Sequence, residues 1–228
     1  MDKMSLFSIL TVSVPEAILN IYLAFVLTGQ RNKLYPDSLN IIRLLIAVPL
    51  MVVASVTSRA MLENMAYVFL VNFLVYTIIL KLVYRLKWKD SLLCVVIICG
   101  FLITVEAIYI YPFITLYSKN LDIYYSNDIV RLVSSIPERF AQLAVIISFW
   151  KWDLVYLDLR GLKKIQSAFI LLVVLLLSTE LAFSYVFVNS LDRLLFPFKV
   201  TIIMGSFLFA IINYLLCKVV IMLARRNY

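Results

Sequence analysis

Seven predominantly apolar runs of about 18 residues or more, parted by short polar breaks, leave this chain few ways to fold. They are Ser5–Thr28, Leu39–Thr57, Ala60–Val83, Ser91–Leu116, Asp128–Trp150, Ile165–Val188 and Phe198–Leu223. A hydrocarbon layer about 30 Å thick is crossed by about 20 helical residues, so each run is long enough to span it. The expected fold class is therefore an all-α integral membrane protein with seven transmembrane helices. Its loops are short, so residues 1–228 form a single polytopic domain, multi-pass in the cell membrane with the lipid bilayer as its first partner.

Composition agrees and removes several functions. Hydrophobic residues make up 64% of the 228 and charged residues only 15%, where a soluble domain carries about a quarter. The net charge of +8 does not point to nucleic acid, because the basic residues are scattered between apolar runs rather than gathered on one face. Cys94, Cys99 and Cys217 all lie within apolar runs, and their odd number and lack of CxxC spacing suit neither a disulfide framework nor a metal site. There is no histidine, which removes a Cys/His peptidase, an H-E-x-x-H zinc protease, a His-ligated haem and a phosphoacceptor histidine. No enzyme activity, metal or cofactor is expected. The first run is too long for a signal-peptide core and ends in Gln30-Arg31-Asn32-Lys33.

The breaks between runs set an orientation. The breaks after the first, third and fifth runs and the C-terminal end carry thirteen basic residues, among them Arg31, Lys33, Lys81, Arg85, Lys151 and Lys164. The opposite breaks hold five: Lys3, Arg59, Lys119, Arg193 and Lys199. The positive-inside rule then expects the N-terminus outside and the C-terminus in the cytoplasm.

A short phrase occurs twice inside these runs. Ser13-Val14-Pro15-Glu16 recurs 122 residues later as Ser135-Ile136-Pro137-Glu138, and an amide follows each glutamate by four residues, Asn20 and Gln142. Both spans cross in the same sense, so the copies are parallel. This suggests a 3+1+3 duplication, halves 5–84 and 128–223 joined by a linker helix over 91–116, a plan known in transporters. At 1.5 Å per residue both glutamates sit ~15 Å deep, near mid-membrane. Pro15 and Pro137 each free a backbone carbonyl one turn earlier and are expected to act as hinges. Asn20 and Gln142 share a helical face with their glutamates and can bond the carboxyl group or line the same cavity.

Further membrane charges complete the candidate set: Glu106, Arg131, Arg139 and Glu180. Adjacent residues diverge by about 100° on a helix, so Arg139 is not expected to share a face with Glu138. It should pair with a glutamate on another helix, with Glu16, Glu106 and Glu180 as candidates. Arg43, near a span end, can snorkel. The set Glu16, Asn20, Glu106, Arg131, Glu138, Arg139, Gln142 and Glu180 is either a ligand-binding vestibule or pathway, or a set of ion pairs that fixes helix packing.

The arrangement of the seven spans, with Pro15-Glu16-Ala17-Ile18-Leu19 leading to Leu27-Thr28-Gly29 and the turn Arg85-Leu86-Lys87-Trp88-Lys89, resembles the membrane sensor region of Agr-type receptor histidine kinases of Gram-positive bacteria. That resemblance implies a quorum-sensing receptor for a small secreted peptide, engaged by the outer loops and vestibule, with the last helix passing the signal inward. The sequence ends at Arg225-Arg226-Asn227-Tyr228 without a kinase, so the expectation is either a piece of a longer receptor or a sensor-like protein acting through a signalling partner or as a homodimer. The topology is also similar to SWEET and PQ-loop transporters, although the dipeptide here is Pro-Glu where theirs is Pro-Gln. That similarity implies a small-solute carrier, proton-coupled through its midplane carboxylates. A non-catalytic accessory or scaffold subunit is the third reading.

Overall fold

A computed structural model describes residues 4–62, 65–113 and 127–153, together with residues 200, 204, 205, 208 and 211. Among the described residues all regular structure is helical, with no strand. Five long helices make up nearly all of it: α1 Leu6–Leu27, α2 Ser38–Met61, α3 Met65–Tyr84, α4 Trp88–Phe113 and α5 Asp128–Lys151. Four stretches, Leu6–Leu27, Ser38–Met61, Tyr67–Tyr84 and Asp128–Lys151, are long and apolar enough to cross a membrane. The expected sixth span lies outside the described residues, as does the seventh except for five positions, all helical.

Local chemistry sets the helix ends. The Ser5 hydroxyl caps α1 by accepting from the Ser8 N–H at 3.1 Å. Its C-terminus closes with the two bonds of a Schellman turn, Gln30 N–H to Phe25 O at 2.8 Å and Gly29 N–H to Val26 O at 3.4 Å. Gly29 takes a φ of 70° there, a conformation that a Cβ penalises. A short 3₁₀ turn, Arg31–Lys33, leads to Asp37, whose carboxylate accepts from the Asn40 N–H at 2.6 Å and starts α2. The Asn40 amide in turn donates to the Asn32 and Tyr35 carbonyls, tying the loop to the helix.

Two expected boundaries move. The sequence divides the second and third spans near Arg59, but α2 continues to Met61 and ends with Leu62 in extended backbone. Arg59 lies in the last turn, where a cation complements the carbonyl end of the helix, so the charge belongs to the helix and does not break it.

Proline has different consequences in the two copies of the repeat. Upstream of Pro15, residues Ile9–Ser13 form a π turn, with Val14 N–H bonded back to Ile9 O. The wider turn puts Pro15 at the start of the α-helical segment Val14–Leu27, where a missing N–H costs little. Pro137 instead lies within a continuous α5. Just upstream of it the Ser134 and Ser135 hydroxyls donate to the Arg131 and Leu132 carbonyls, at 2.9 and 2.8 Å.

The chain divides into two compact units, Met1–Ile98 with Asp128–Leu159, and Cys99–Asn127 with Arg160–Tyr228. In the first, α1 is central and packs against α2 and α5, while α2 packs on α3. Ile21, Leu23, Ala24, Phe25 and Val26 are consecutive but for Tyr22, and all are fully buried, so α1 has no single apolar stripe. Phe25 meets Tyr84 edge-to-face with centroids 4.7 Å apart. Helix α5 has the opposite character. Ile129, Val133, Ile136, Phe140, Leu143 and Ile147 form an exposed stripe, while Arg131, Ser134, Ser135, Glu138 and Gln142 are buried. An apolar exterior over a polar interior is the pattern expected of a helix solvated by lipid. In the second unit the described residues are the later part of α4 and a few helical positions beyond it.

Candidate functional site

The two copies of the repeated phrase meet. Helices α1 and α5 pack side by side in the first unit, and their polar residues pair across the seam. At its centre Arg139 Nη2 donates to Glu16 Oε2 at 3.1 Å, and Arg139 Nη1 donates to Glu138 Oε1 at 3.0 Å and to Gln142 Oε1 at 3.1 Å. Gln142 Nε2 then donates to Asn20 Oδ1 at 2.9 Å. One guanidinium thus joins two carboxylates and orients a chain of two amides.

That chain has a fixed direction. A guanidinium only donates, so Gln142 must turn its carbonyl oxygen to Arg139 and its NH₂ to Asn20. Asn20 must then present its oxygen to Gln142, which sends its own Nδ2 away from the seam's hydrogen bonds. Asn20 and Gln142 are both fully buried, and Asn20 Nδ2 has no hydrogen-bond partner among the described residues. A buried donor left unmade costs about 1–3 kcal/mol, so this register of the seam carries a deficit.

The seam extends well beyond this centre. Near its N-terminal end Arg131 Nη1 donates to Ser8 Oγ at 3.4 Å, both residues buried. At the other end Arg31 pairs with the Asp153 carboxylate, and its Nη2 donates to the Phe149 carbonyl at 2.9 Å. A cation on the last carbonyls of α5 opposes the negative end of its dipole. The Trp150 ring lies 6.0 Å from the Arg31 guanidinium, and Tyr35 meets Trp150 edge-on at 6.2 Å. Ser8, Glu16, Asn20 and Arg31 thus each face a residue 122 or 123 positions further on.

Six of the eight expected site residues, Glu16, Asn20, Arg131, Glu138, Arg139 and Gln142, line this one seam. Glu180 lies outside the described residues, and Glu106 is described only as a backbone position on α4. Arg139 pairs with a glutamate of another helix, Glu16, as expected. The expectation that it turns away from Glu138 is corrected by the 3.0 Å bond between them. Their Cβ directions diverge, but the long arginine stem swings the guanidinium back to the neighbouring carboxylate. The two amides bond each other across the seam rather than each serving its own glutamate. Sequence reasoning missed Arg31, Asp153 and Ser8. Arg31 counted only as a topological charge, yet Asp153 stands 122 residues beyond it, the spacing of the repeat itself.

Among the described residues no group of His, Cys, Asp or Glu could hold a metal ion. Compared with protein-family models, with curated proteins and with solved structures, the chain shows no match.

Proposed function

We propose that this chain is a seven-span, non-catalytic receptor-like membrane protein, built from a duplicated three-helix unit. In this reading it takes a small secreted peptide from outside and passes the signal inward along the α1–α5 seam to a partner protein or a second copy. The observation that carries it is the run of polar pairs along one helix pair, from Ser8–Arg131 through Glu16–Arg139 to Arg31–Asp153. With the N-terminus outside, the first pair lies at the outer surface and the last at the cytoplasmic one. A displacement of α5 at its outer end then changes partners at its inner end.

The test uses the full chain in lipid nanodiscs, incubated with the secreted peptides of the source organism's culture medium. Mass spectrometry should identify a retained peptide, and Arg131→Ala should reduce its retention. No retained peptide would refute the receptor. A second reading, proton-coupled solute transport, draws on the carboxylates of Glu16 and Glu138, which share one guanidinium mid-helix. Liposomes holding the protein should show no flux across a broad solute panel if the first reading is right. Flux that Glu16→Gln with Glu138→Gln abolishes would put the second in its place.

A further inference from the structure

Asn20 presents a fully buried amide donor with no acceptor among the described residues, yet a buried carboxylate lies one helical turn away on the facing helix. On α5, Glu138 precedes Gln142 by four residues, as Glu16 precedes Asn20 on α1. A seam in which a glutamate and an amide stand four residues apart on both helices has a second way to mesh. In the observed one, α1 residues face positions 122 or 123 further on. One turn away the offset is 118, and Asn20, Glu16 and Arg31 again meet groups that can bond them, while Ser8 passes beyond the start of α5 at Asp128 and Arg139 exchanges Glu16 for the level of Ile21. Asn20 meets Glu138, whose carboxylate accepts from Nδ2. Glu16 meets the Ser134 hydroxyl, and Ser13 meets Arg131. Arg31 meets Phe149, and that bond is already made, at 2.9 Å.

We propose that the α1–α5 seam is a one-turn ratchet with a second register, about 5.4 Å along the helix axis from the observed one. Arg31 holds a contact from each register at once, Asp153 from one and the Phe149 carbonyl from the other. The exposed stripe of α5, including Val133, Phe140 and Ile147, loses no packing partner in the slip. The ratchet rests on the receptor reading only for what drives it; its existence is a property of the seam.

The experiment measures the register directly, without peptide. In the full chain with Cys94, Cys99 and Cys217 replaced by serine, spin labels are placed at Leu10→Cys and Ile147→Cys, both exposed and off the seam. These sites lie about 22 Å apart along the axis in the observed register and about 28 Å apart after the slip. Gln142→Leu deprives Asn20 of its present partner and should populate the distance longer by about 6 Å. Gln142→Met does the same with a different shape, should the first variant fail to fold. Asn20→Asp, whose carboxylate would oppose Glu138 after the slip, should hold the shorter distance. One narrow distance, unchanged in the starting protein and every variant, overturns the ratchet. A retained peptide together with one unchanged distance in every variant refutes the ratchet and spares the receptor. A variant-driven shift in a protein that retains no peptide from the culture medium supports the ratchet and refutes the receptor.

Discussion

Arg139 donates to both Glu16 and Glu138, so Arg139→Met tests whether the network at the seam's centre is coupled. The substitution keeps much of the side-chain volume and removes donors to Glu16, Glu138 and Gln142. Two carboxylates then face each other, Glu138 with 7% of its side chain exposed and Glu16 with 22%. Breaking a buried ion pair by removing one partner costs about 3–5 kcal/mol, and the partial exposure of Glu16 puts this case at the low end, about 3 kcal/mol. At about 2–4 °C per kcal/mol for a chain of this size, the melting temperature should fall by about 6–12 °C. Adding Glu16→Gln and Glu138→Gln removes the uncompensated charges, and the triple variant should recover most of the loss. Thermal unfolding in detergent, followed by tryptophan fluorescence, measures both. A single variant within 2 °C of the starting protein, or a triple variant less stable than the single, would refute the reasoning.

Other perturbations probe the frame around the seam. Gly29→Ala forces a Cβ into the left-handed conformation that closes α1 and should cost about 1–2 kcal/mol, read as a lower melting temperature. Asp37→Ala removes the cap of α2, with an expected loss of about 1 kcal/mol that Asp37→Asn largely avoids. Arg31→Ala should destabilise clearly while Asp153→Asn should be near neutral. Arg31 is mostly buried and also serves the Phe149 carbonyl, whereas Asp153 is 90% exposed and its attraction is screened. Equal melting temperatures for these two variants would remove the helix-capping role of Arg31.

Much of the fold was legible because lipid imposes one strong rule. The expected runs Ser5–Thr28 and Asp128–Trp150 lie within a residue or so of α1 and α5, since no other structure satisfies so long an apolar backbone. The repeat also located the centre of the seam, because proline and glutamate are costly there and so stand out from their background. The local adjustments were not legible. Pro15 reads as a hinge, but whether a π turn forms before it depends on packing around Ile9–Ser13, which no local propensity encodes. The same holds for Arg139, where helical periodicity places its Cβ but leaves the reach of its guanidinium open. The end of α2 was hidden because Arg59 suits a helix C-terminus as well as a loop.

The proposed duplication makes a sharper demand on the seam than sequence similarity does. When two equivalent parallel helices pack about a two-fold axis, only positions on that axis face their own equivalents. Asn20 faces Gln142 and Arg31 faces Asp153, each 122 residues apart, the spacing of the repeated phrase. If both members of the amide pair stand on the axis, their surroundings are similar and the side chains are exchangeable. Asn20→Gln with Gln142→Asn keeps every atom of the rung and should remain within about 0.5 kcal/mol of the starting protein. Asn20→Gln alone adds a methylene to a closed seam and should cost about 1–3 kcal/mol, while Gln142→Asn alone removes one and should cost about 1 kcal/mol. Thermal unfolding of the three variants decides the matter. A double variant that loses the sum of the two single losses would mean that Asn20 and Gln142 sit in unlike surroundings, and the axis would not pass between them.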